Sequence, residues 1–171
     1  MAFSDSDFAG CTQTFRSTSG SVMYFRGTPI VWSAKRQALV TSSTCESEYV
    51  AMFDTIKIVQ SQGFSDWFGD KIPLIFVDNS SALVVAGSTL PTKKSKHMAL
   101  RYHFVKEHFE SLCYCPTDKN RADPFTKPLV AEKYLSIFHQ DLSANQRQKF
   151  IEGDEEDEQY EAACRLCYAS W

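Results

Sequence analysis

The chain has 171 residues, a formal net charge of −3, 43% hydrophobic residues and 13% aromatic residues. This composition supports a folded domain and excludes wholesale disorder, and no apolar run approaches the roughly 18 residues that a membrane helix needs. Nothing at the N-terminus resembles a secretory signal, so we expect an intracellular protein, cytoplasmic or nuclear, with no membrane partner and with its six cysteines as thiols.

Charge divides the chain into two parts. Residues 142–171 hold seven acids and three bases, a net charge of −4, so the first 141 residues carry +1. Six of the seven residues at 152–158 are acidic. We therefore expect a domain over 1–141 and a flexible tail over 142–171, polar and then acidic, that opposes nucleic-acid binding. The tail pair Cys164 and Cys167 has the spacing of half a zinc site, but no second pair lies nearby, which favours incidental cysteines.

Strand patterns come first along the chain. A short strand is expected to end at Phe3, directly before an acidic stretch. Residues 21–25 and 30–32 are rich in β-branched and aromatic side chains and flank a turn that contains Gly27 and Pro29, which predicts a β-hairpin. A third strand is predicted at 38–41.

A helix is predicted next. Residues 42–44 offer a serine or threonine N-cap. The apolar residues that follow have helical spacing and fall on one face of an amphipathic helix: Tyr49, Met52, Phe53, Ile56 and Val59.

The second half alternates strands and helices. The apolar run at 74–77 predicts a strand buried on both faces, and 79–85 predicts a short helix. A long helical stripe follows at Met98, Tyr102, Val105, Phe109 and Leu112. A short strand is predicted at 113–115, and a last helical region from Asn120, interrupted by Pro124 and Pro128. This order of elements predicts an α/β fold with a sheet of mixed direction.

Four acids occupy positions where such a sheet gathers its functional groups, at strand ends and helix starts: Asp5, Glu48, Asp78 and Asp123. Carboxylate oxygens are suitable ligands for Mg²⁺ or Mn²⁺. Carboxylates that lie close together repel one another unless cations bind between them, as they do in a site with two metal ions. Each acid taken alone is better explained as a helix cap or a solvated charge. Asp7 and Glu46 are the closest competitors for membership of the set.

Several sequence blocks resemble the ribonuclease H domains of copia-type retrotransposons. The blocks read SDSDFAGC at 4–11, RSTSG at 16–20, IVWS at 30–33, KRQ at 35–37, SSTCESEYVA at 42–51, VDNSSAL at 77–83, KH at 96–97, RYHFVKE at 101–107 and ADPFTKPL at 122–129. They occur in the family's order over about residues 2–140. Two positions depart from the family: Phe8 replaces a usual Trp, and Ala99 stands where many relatives have Asp.

The resemblance implies an RNase H-like fold, a mixed β-sheet flanked by helices, and hydrolysis of the RNA strand of an RNA–DNA hybrid with two Mg²⁺ ions, or Mn²⁺ in their place. It implies that Asp5 contacts both ions, that Glu48 and Asp78 hold the ion near the leaving oxygen, and that Asp123 helps hold the ion that activates water. The products would carry 5′-phosphate and 3′-hydroxyl ends. The implied partners are the hybrid and the reverse transcriptase region of a parent polyprotein, which makes this chain a fragment, an isolated domain or a degenerate copy.

Candidate nucleic-acid contacts lie in two places. A basic region that includes Lys94, Lys96, His97 and Arg101 is either the solvated face of a helix or a ridge that contacts phosphates. Asn79 and Ser80 follow a candidate site acid and are the candidates for contacts to RNA 2′-hydroxyls. Two further functions stay open at this point: a nucleic-acid-binding remnant without catalysis, and an interaction protein whose acidic tail recruits a basic partner.

Overall fold

A computed structural model describes residues 1–61, 73–88, 96–134 and 137, with 96–98 described as helical backbone. Five strands form one mixed sheet: β1 (Ala2–Asp7), β2 (Thr18–Phe25), β3 (Thr28–Arg36), β4 (Ile75–Val77) and β5 (Leu112–Tyr114). Their spatial order is β3-β2-β1-β4-β5. The first three strands are antiparallel neighbours, and β1, β4 and β5 run parallel. The expected α/β fold with a mixed sheet is confirmed.

The predicted hairpin is formed by β2 and β3, which are longer than their sequence patterns indicated. Phe25 pairs with Thr28, so only two residues make the turn. Both have positive φ angles, 48° at Arg26 and 72° at Gly27, as a tight turn that matches the right-handed twist of the strands requires. Pro29 is tolerated in β3 because this strand lies at the edge of the sheet.

The predicted strand at 38–41 is wrong. The strand β3 already ends at Arg36, and the next residue, Gln37, is buried. The Gln37 side-chain amide donates to Ser19 Oγ at 3.0 Å and to the Ser47 carbonyl at 2.9 Å. These bonds tie the chain to β2 and to the following helix, so residues 38–41 cross to that helix instead of extending the sheet.

In the part of the chain that the structure describes, three α-helices pack with the sheet: α1 (Thr44–Ser61), α2 (Ser80–Gly87) and α3 (Lys96–Glu107). Ser43 caps α1, because its Oγ accepts from the Glu46 N–H at 3.2 Å. Asn79 caps α2 through its Oδ1, which accepts from the Ala82 N–H at 2.9 Å. On the predicted apolar face of α1, Phe53 is half-buried and the other four residues are buried in the core: Tyr49, Met52, Ile56 and Val59.

The long helical stripe predicted through Leu112 is only partly correct. The helix α3 ends at Glu107, Phe109 begins a 3₁₀ turn (Phe109–Ser111), and Leu112 begins β5. Phe109 and Leu112 still face the same core as Val105, which explains why the apolar spacing continues past the end of the helix. The predicted last helical region is a 3₁₀ turn (Asp123–Phe125) followed by helical residues at 131–134.

The sheet buries a core on each face. The helical face carries Met23, Ile75 and Val77 with the apolar side of α1. The opposite face carries a second cluster, formed by Phe3, Val22, Tyr24, Phe76, Cys113, Cys115 and Ala122. The segment that follows β5 covers this second face and brings Asp123 to the sheet. Among the described residues, no helix is both long and apolar enough to cross a membrane.

Candidate metal and active site

Two of the candidate acids lie side by side on neighbouring parallel strands. In the β1–β4 pairing, Ser4 lies opposite Val77, so Asp5 and Asp78 are the next residues along each strand. Adjacent strands are about 4.8 Å apart, which brings the two carboxylates together. Asp5 lies inside β1 rather than after it, so the expectation that the first strand ends at Phe3 is wrong.

Glu48 reaches the same place from α1. This helix packs closely on β1 through small polar side chains, since Ser6 Oγ donates to Ser47 Oγ at 2.9 Å. The neighbouring Ser6 N–H donates to Glu48 Oε1 at 3.3 Å. The close packing therefore holds the Glu48 carboxylate against the backbone of β1, one residue beyond Asp5.

The carboxylate trio, defined here as Asp5, Glu48 and Asp78, forms a compact cluster. Each of the three offers an oxygen, and these oxygens all lie within 4.8 Å of one another. Glu48 is only 5% exposed, and its Oε2 has no hydrogen-bond partner among the described residues. A buried carboxylate oxygen without a donor is costly unless a cation takes the donor's place. The trio thus fits a hard divalent cation, whose preferred ligands are carboxylate oxygens.

Electrostatics in the trio favour cation binding. Burial, together with the nearby charges of Asp5 and Asp78, raises the pKa of Glu48 to about 9 against the opposing hydrogen bonds of Ser6. Burial raises the pKa of Asp5 to about 6, opposed by the Thr126 hydrogen bond and assisted by Asp78 and Asp123. Without metal, a proton on Glu48 therefore reduces the repulsion in the trio at neutral pH, and a divalent ion would displace it.

Asp123 lies next to the trio without being part of it. It is 1% exposed, and its two oxygens form ion pairs, Oδ1 with Lys127 Nζ at 2.6 Å and Oδ2 with Lys133 Nζ at 2.5 Å. Burial alone would raise the pKa of Asp123, but the two lysines outweigh it and the pKa is lowered. The structure therefore brings three of the four candidate acids together and gives the fourth its own counter-charges.

The segment around Asp123 is anchored to β1 by buried polar groups. The Asn120 side chain, fully buried, donates to the Ser4 carbonyl at 2.9 Å and accepts from the Ala122 N–H at 3.1 Å. The Thr126 hydroxyl oxygen lies 2.6 Å from Asp5 Oδ2 and 2.9 Å from the Asp123 carbonyl. Because a hydroxyl has one hydrogen, Thr126 donates to one of these acceptors at a time.

Gly20 makes the approach of this segment possible. It pairs with Asp5 across β1 and β2. A Cβ at this position would lie 2.6 Å from Thr126 Cγ2 and 2.8 Å from the Ala122 carbonyl oxygen. Any side chain at position 20 would therefore push the segment away from Asp5.

The two competing acids, Glu46 and Asp7, are not members of the trio. Glu46 Oε2 accepts from the Ser42 N–H at 2.7 Å and from Ser42 Oγ at 2.6 Å, so this carboxylate stabilises the start of α1. Asp7 ends β1 and is not a member of the trio. Of the two acid pairs that sequence alone left open, the geometry selects Glu48 over Glu46 and Asp5 over Asp7.

The predicted nucleic-acid contacts remain predictions. Asn79 uses its side-chain oxygen to cap α2, and Ser80 is exposed beside it. The Arg101 guanidinium lies 5.5 Å from the centre of the Phe53 ring, on the α1 side of α3. Lys94 lies outside the described residues, as does the tail pair of cysteines. Lys96 and His97 lie in the first turn of α3, for which the backbone is described.

Sequence reasoning missed the residues that support the acids: Gly20, Asn120, Thr126, Lys127 and Lys133. A signal existed for Lys127, which follows Asp123 by four residues, a spacing that brings opposite charges together in helical turns. Gly20, Thr126 and Lys127 also lie inside blocks already singled out by their resemblance. Asn120 and Lys133 carry no comparable signal, because their contacts depend on how the chain folds back on β1.

No protein-family model matches the sequence. Several plant proteins do, among them the retrovirus-related Pol polyprotein from transposon RE2 of Arabidopsis thaliana, 32% identical over 75% of this chain, and that from transposon TNT 1-94 of Nicotiana tabacum, 29% identical over 77%. This chain spans 9% and 10% of those polyproteins, respectively.

Solved ribonuclease H structures share the fold. LC11-RNase H1, isolated from compost, superposes with a TM-score of 0.54 and 18% identity, covering 73% of this chain and 90% of that chain. The N-terminal RNase H domain of a Mycobacterium tuberculosis protein superposes with a TM-score of 0.52 and 12% identity, covering 79% and 96%. A second structure of LC11-RNase H1 gives a TM-score of 0.50 at 15% identity, covering 78% and 97%. The relatives and the fold together place the chain with the ribonuclease H segment of copia-type retrotransposon Pol polyproteins.

Proposed function

We propose that this chain is a divalent-metal-dependent endonuclease that hydrolyses the RNA strand of RNA–DNA hybrids. The observation that carries the proposal is the carboxylate trio, in which three buried or half-buried acids from β1, α1 and the end of β4 present oxygens within 4.8 Å of one another. Such a cluster is unfavourable without cations, and its chemistry matches Mg²⁺, or Mn²⁺ in its place.

In the proposed reaction, a water oxygen bonds to the phosphorus of an RNA phosphodiester. The bond from phosphorus to the 3′ oxygen breaks, and that oxygen takes up a proton, which leaves 5′-phosphate and 3′-hydroxyl ends. A divalent ion held by Asp5, Glu48 and Asp78 supplies positive charge to the phosphate oxygens when it is bound. The protein's own contribution is to keep the three carboxylates fixed through β1, β4 and the close packing of α1 on Ser6.

The choice of an RNA–DNA hybrid as substrate rests on the relatives. The LC11-RNase H1 structure with a TM-score of 0.50 holds an RNA/DNA hybrid. The sequence relatives are retrovirus-related Pol polyproteins from transposons. We therefore extend the proposal to its setting: the chain acts inside the cell, in the cytoplasm or nucleus, beside the reverse transcriptase region of a parent polyprotein.

A cleavage assay tests the proposal. The purified chain is incubated with a hybrid labelled on its RNA strand, in Mg²⁺ and separately in EDTA, with single-stranded RNA and duplex DNA as alternative substrates. We expect Mg²⁺-dependent cutting of the hybrid RNA only, with 5′-phosphate ends. An intact hybrid after incubation with folded protein, or equal cutting of single-stranded RNA, would contradict the proposed activity.

A further inference from the structure

Both oxygens of Asp123 lie in ion pairs with ammonium groups: Lys133 also donates a hydrogen bond to Oδ2, whereas the contact of Lys127 with Oδ1 is an ion pair without hydrogen-bond geometry. Lys127 and Lys133 cover the carboxylate from outside: the lysine side chains are 41% and 36% exposed, whereas Asp123 is 1% exposed. Their nitrogens lie 2.6 and 2.5 Å from Oδ1 and Oδ2, at charge-assisted contact distance. Ammonium groups therefore stand where a metal ion bound to Asp123 would have to bind.

The trio lacks this arrangement. Glu48 Oε2 has no hydrogen-bond partner among the described residues, and the contact made to Asp5 Oδ2 comes from the neutral Thr126 hydroxyl.

We propose that Lys127 and Lys133 are built-in counter-cations of Asp123, which restrict the free protein to one divalent ion, bound at the trio. This inference rests on the proposed function and goes beyond it. Because both ammonium groups reach solvent, each of them can pair with a substrate phosphate instead of with Asp123. Withdrawal of either lysine frees an oxygen of Asp123, so a second ion binds beside Asp5 only when nucleic acid is present.

Mn²⁺ binding to the whole chain without nucleic acid tests the inference, by calorimetry and by the electron paramagnetic resonance signal of free Mn²⁺ at pH 8. The wild type should bind one ion. Lys127→Ala combined with Lys133→Ala should bind two, the second about tenfold or more tighter than any second ion in the wild type. The matched control, Lys106→Ala with Lys119→Ala, removes two exposed lysines and should bind one ion as the wild type does.

The outcomes separate the two proposals. A wild type that binds no Mn²⁺ contradicts the proposed metal site itself. A wild type that binds two ions of similar affinity, or a lysine double variant that binds one ion like the wild type, contradicts only the role of the lysines.

Asp123→Asn covers the case in which the double variant does not fold. Asp123→Asn leaves two ammonium groups without a counter-charge beside the trio, so it should weaken the first affinity, but less than Asp78→Asn, which removes a ligand and should weaken it about tenfold or more. A loss in Asp123→Asn as large as that in Asp78→Asn would overturn the inference.

Discussion

The acidic site has two sides, the trio and Asp123, and each offsets the cost of burying carboxylate charge in a different way. The trio buries carboxylates with little positive charge nearby, and burial raises the pKa of Glu48 and Asp5 as a result. A few ångströms away, Asp123 is buried more completely, yet two lysines lower its pKa. The trio lies on regular strands and a helix, and Asp123 lies on a 3₁₀ turn that is anchored by side chains. The difference supports the proposal that the trio binds a cation, because Asp123 already has ammonium counter-charges.

The largest effect is expected on the trio side. Asp78→Asn keeps the shape of the side chain but removes a charge that a divalent ion needs, so hybrid cleavage should fall about 1,000-fold or more while the hybrid still binds. Single-turnover rates and binding isotherms measure the two quantities. The exposed acid Asp118 provides a matched control, because Asp118→Asn removes the same charge away from the trio. Near-normal Mg²⁺-dependent cutting by Asp78→Asn would remove Asp78 from the site.

A substitution near Asp123 should act by displacing the segment that carries this residue. Gly20→Ala places a Cβ 2.8 Å from the Ala122 carbonyl oxygen, so the segment carrying Asp123 must shift. We expect a loss of about 2 kcal/mol in the free energy of unfolding, and a loss of cleavage of about 100-fold.

Gly87→Ala is the control for that change. Its Cβ would lie 2.7 Å from Phe109 Cζ, an equally close contact at the end of α2 that is distant from Asp78. This variant should lose stability, as Gly20→Ala does, but keep the cleavage rate of its folded fraction. If both variants lose cleavage in proportion to stability alone, Gly20 has no role in positioning the segment.

The trio should be destabilising when no metal is present. The pKa of Glu48 is about 9 in the folded chain, against an ordinary value of 4.5 for a glutamate carboxyl. A carboxyl group with a raised pKa favours folding below its unfolded pKa, and this contribution is lost as the pH rises through the folded value. Glu48→Gln abolishes the charge, so in EDTA at pH 8 it should raise the free energy of unfolding by about 2 kcal/mol, with the gain vanishing near pH 4.

Glu46→Gln gives the contrast on the same helix. Its carboxylate accepts from Ser42 and caps α1, so the substitution should give no gain in stability at any pH. Thermal melts in EDTA from pH 4 to 9 compare the two variants with the wild type. If the Glu48→Gln variant is no more stable than the wild type at pH 8, the carboxylates of the trio do not destabilise the metal-free protein.

The smallest effect is expected at Thr126, whose hydroxyl lies between Asp5 of the trio and the Asp123 carbonyl. The Thr126 hydrogen bond lowers the pKa of Asp5, so Thr126→Val should raise it. Since metal and proton compete for the carboxylate, Mg²⁺ affinity should fall about threefold at pH 6.5 and by less at pH 8.5. Thr117→Val, at an exposed 3₁₀ position, is the control. A loss of affinity independent of pH would show that Thr126 acts through packing alone.

Sequence patterns could place two members of the trio, because Asp78 and Glu48 belong to regular elements, whereas the complete set of acids and their roles was implied by the family resemblance. A buried apolar run places Asp78 after a strand, and a capped amphipathic pattern places Glu48 one turn into a helix, so their proximity follows from sheet topology. The mixed sheet, the hairpin, α1 and β4 were predicted for the same reason.

The rest depends on contacts between distant parts of the chain. The bonds of Gln37 to β2 and α1 end the sheet where the local composition at 38–41 favours a strand. The pairing of Asp123 with Lys133 depends on a turn anchored by Asn120 to a strand 116 residues away. Periodicity detects none of these interactions. The division at residue 141 and the acidic tail remain predictions, because residues 138–171 lie outside the described residues.

The central claim is that the trio binds a divalent cation, and the most direct measurement is an anomalous difference map from crystals of this chain soaked in Mn²⁺ at about pH 8.5, where metal competes well with the protons of the trio. We predict one strong peak in contact with Asp5, Glu48 and Asp78, with Lys127 and Lys133 still on Asp123. No peak at the trio in crystals that hold Mn²⁺ elsewhere, or a single peak at Asp123 with the lysines displaced, would contradict the account.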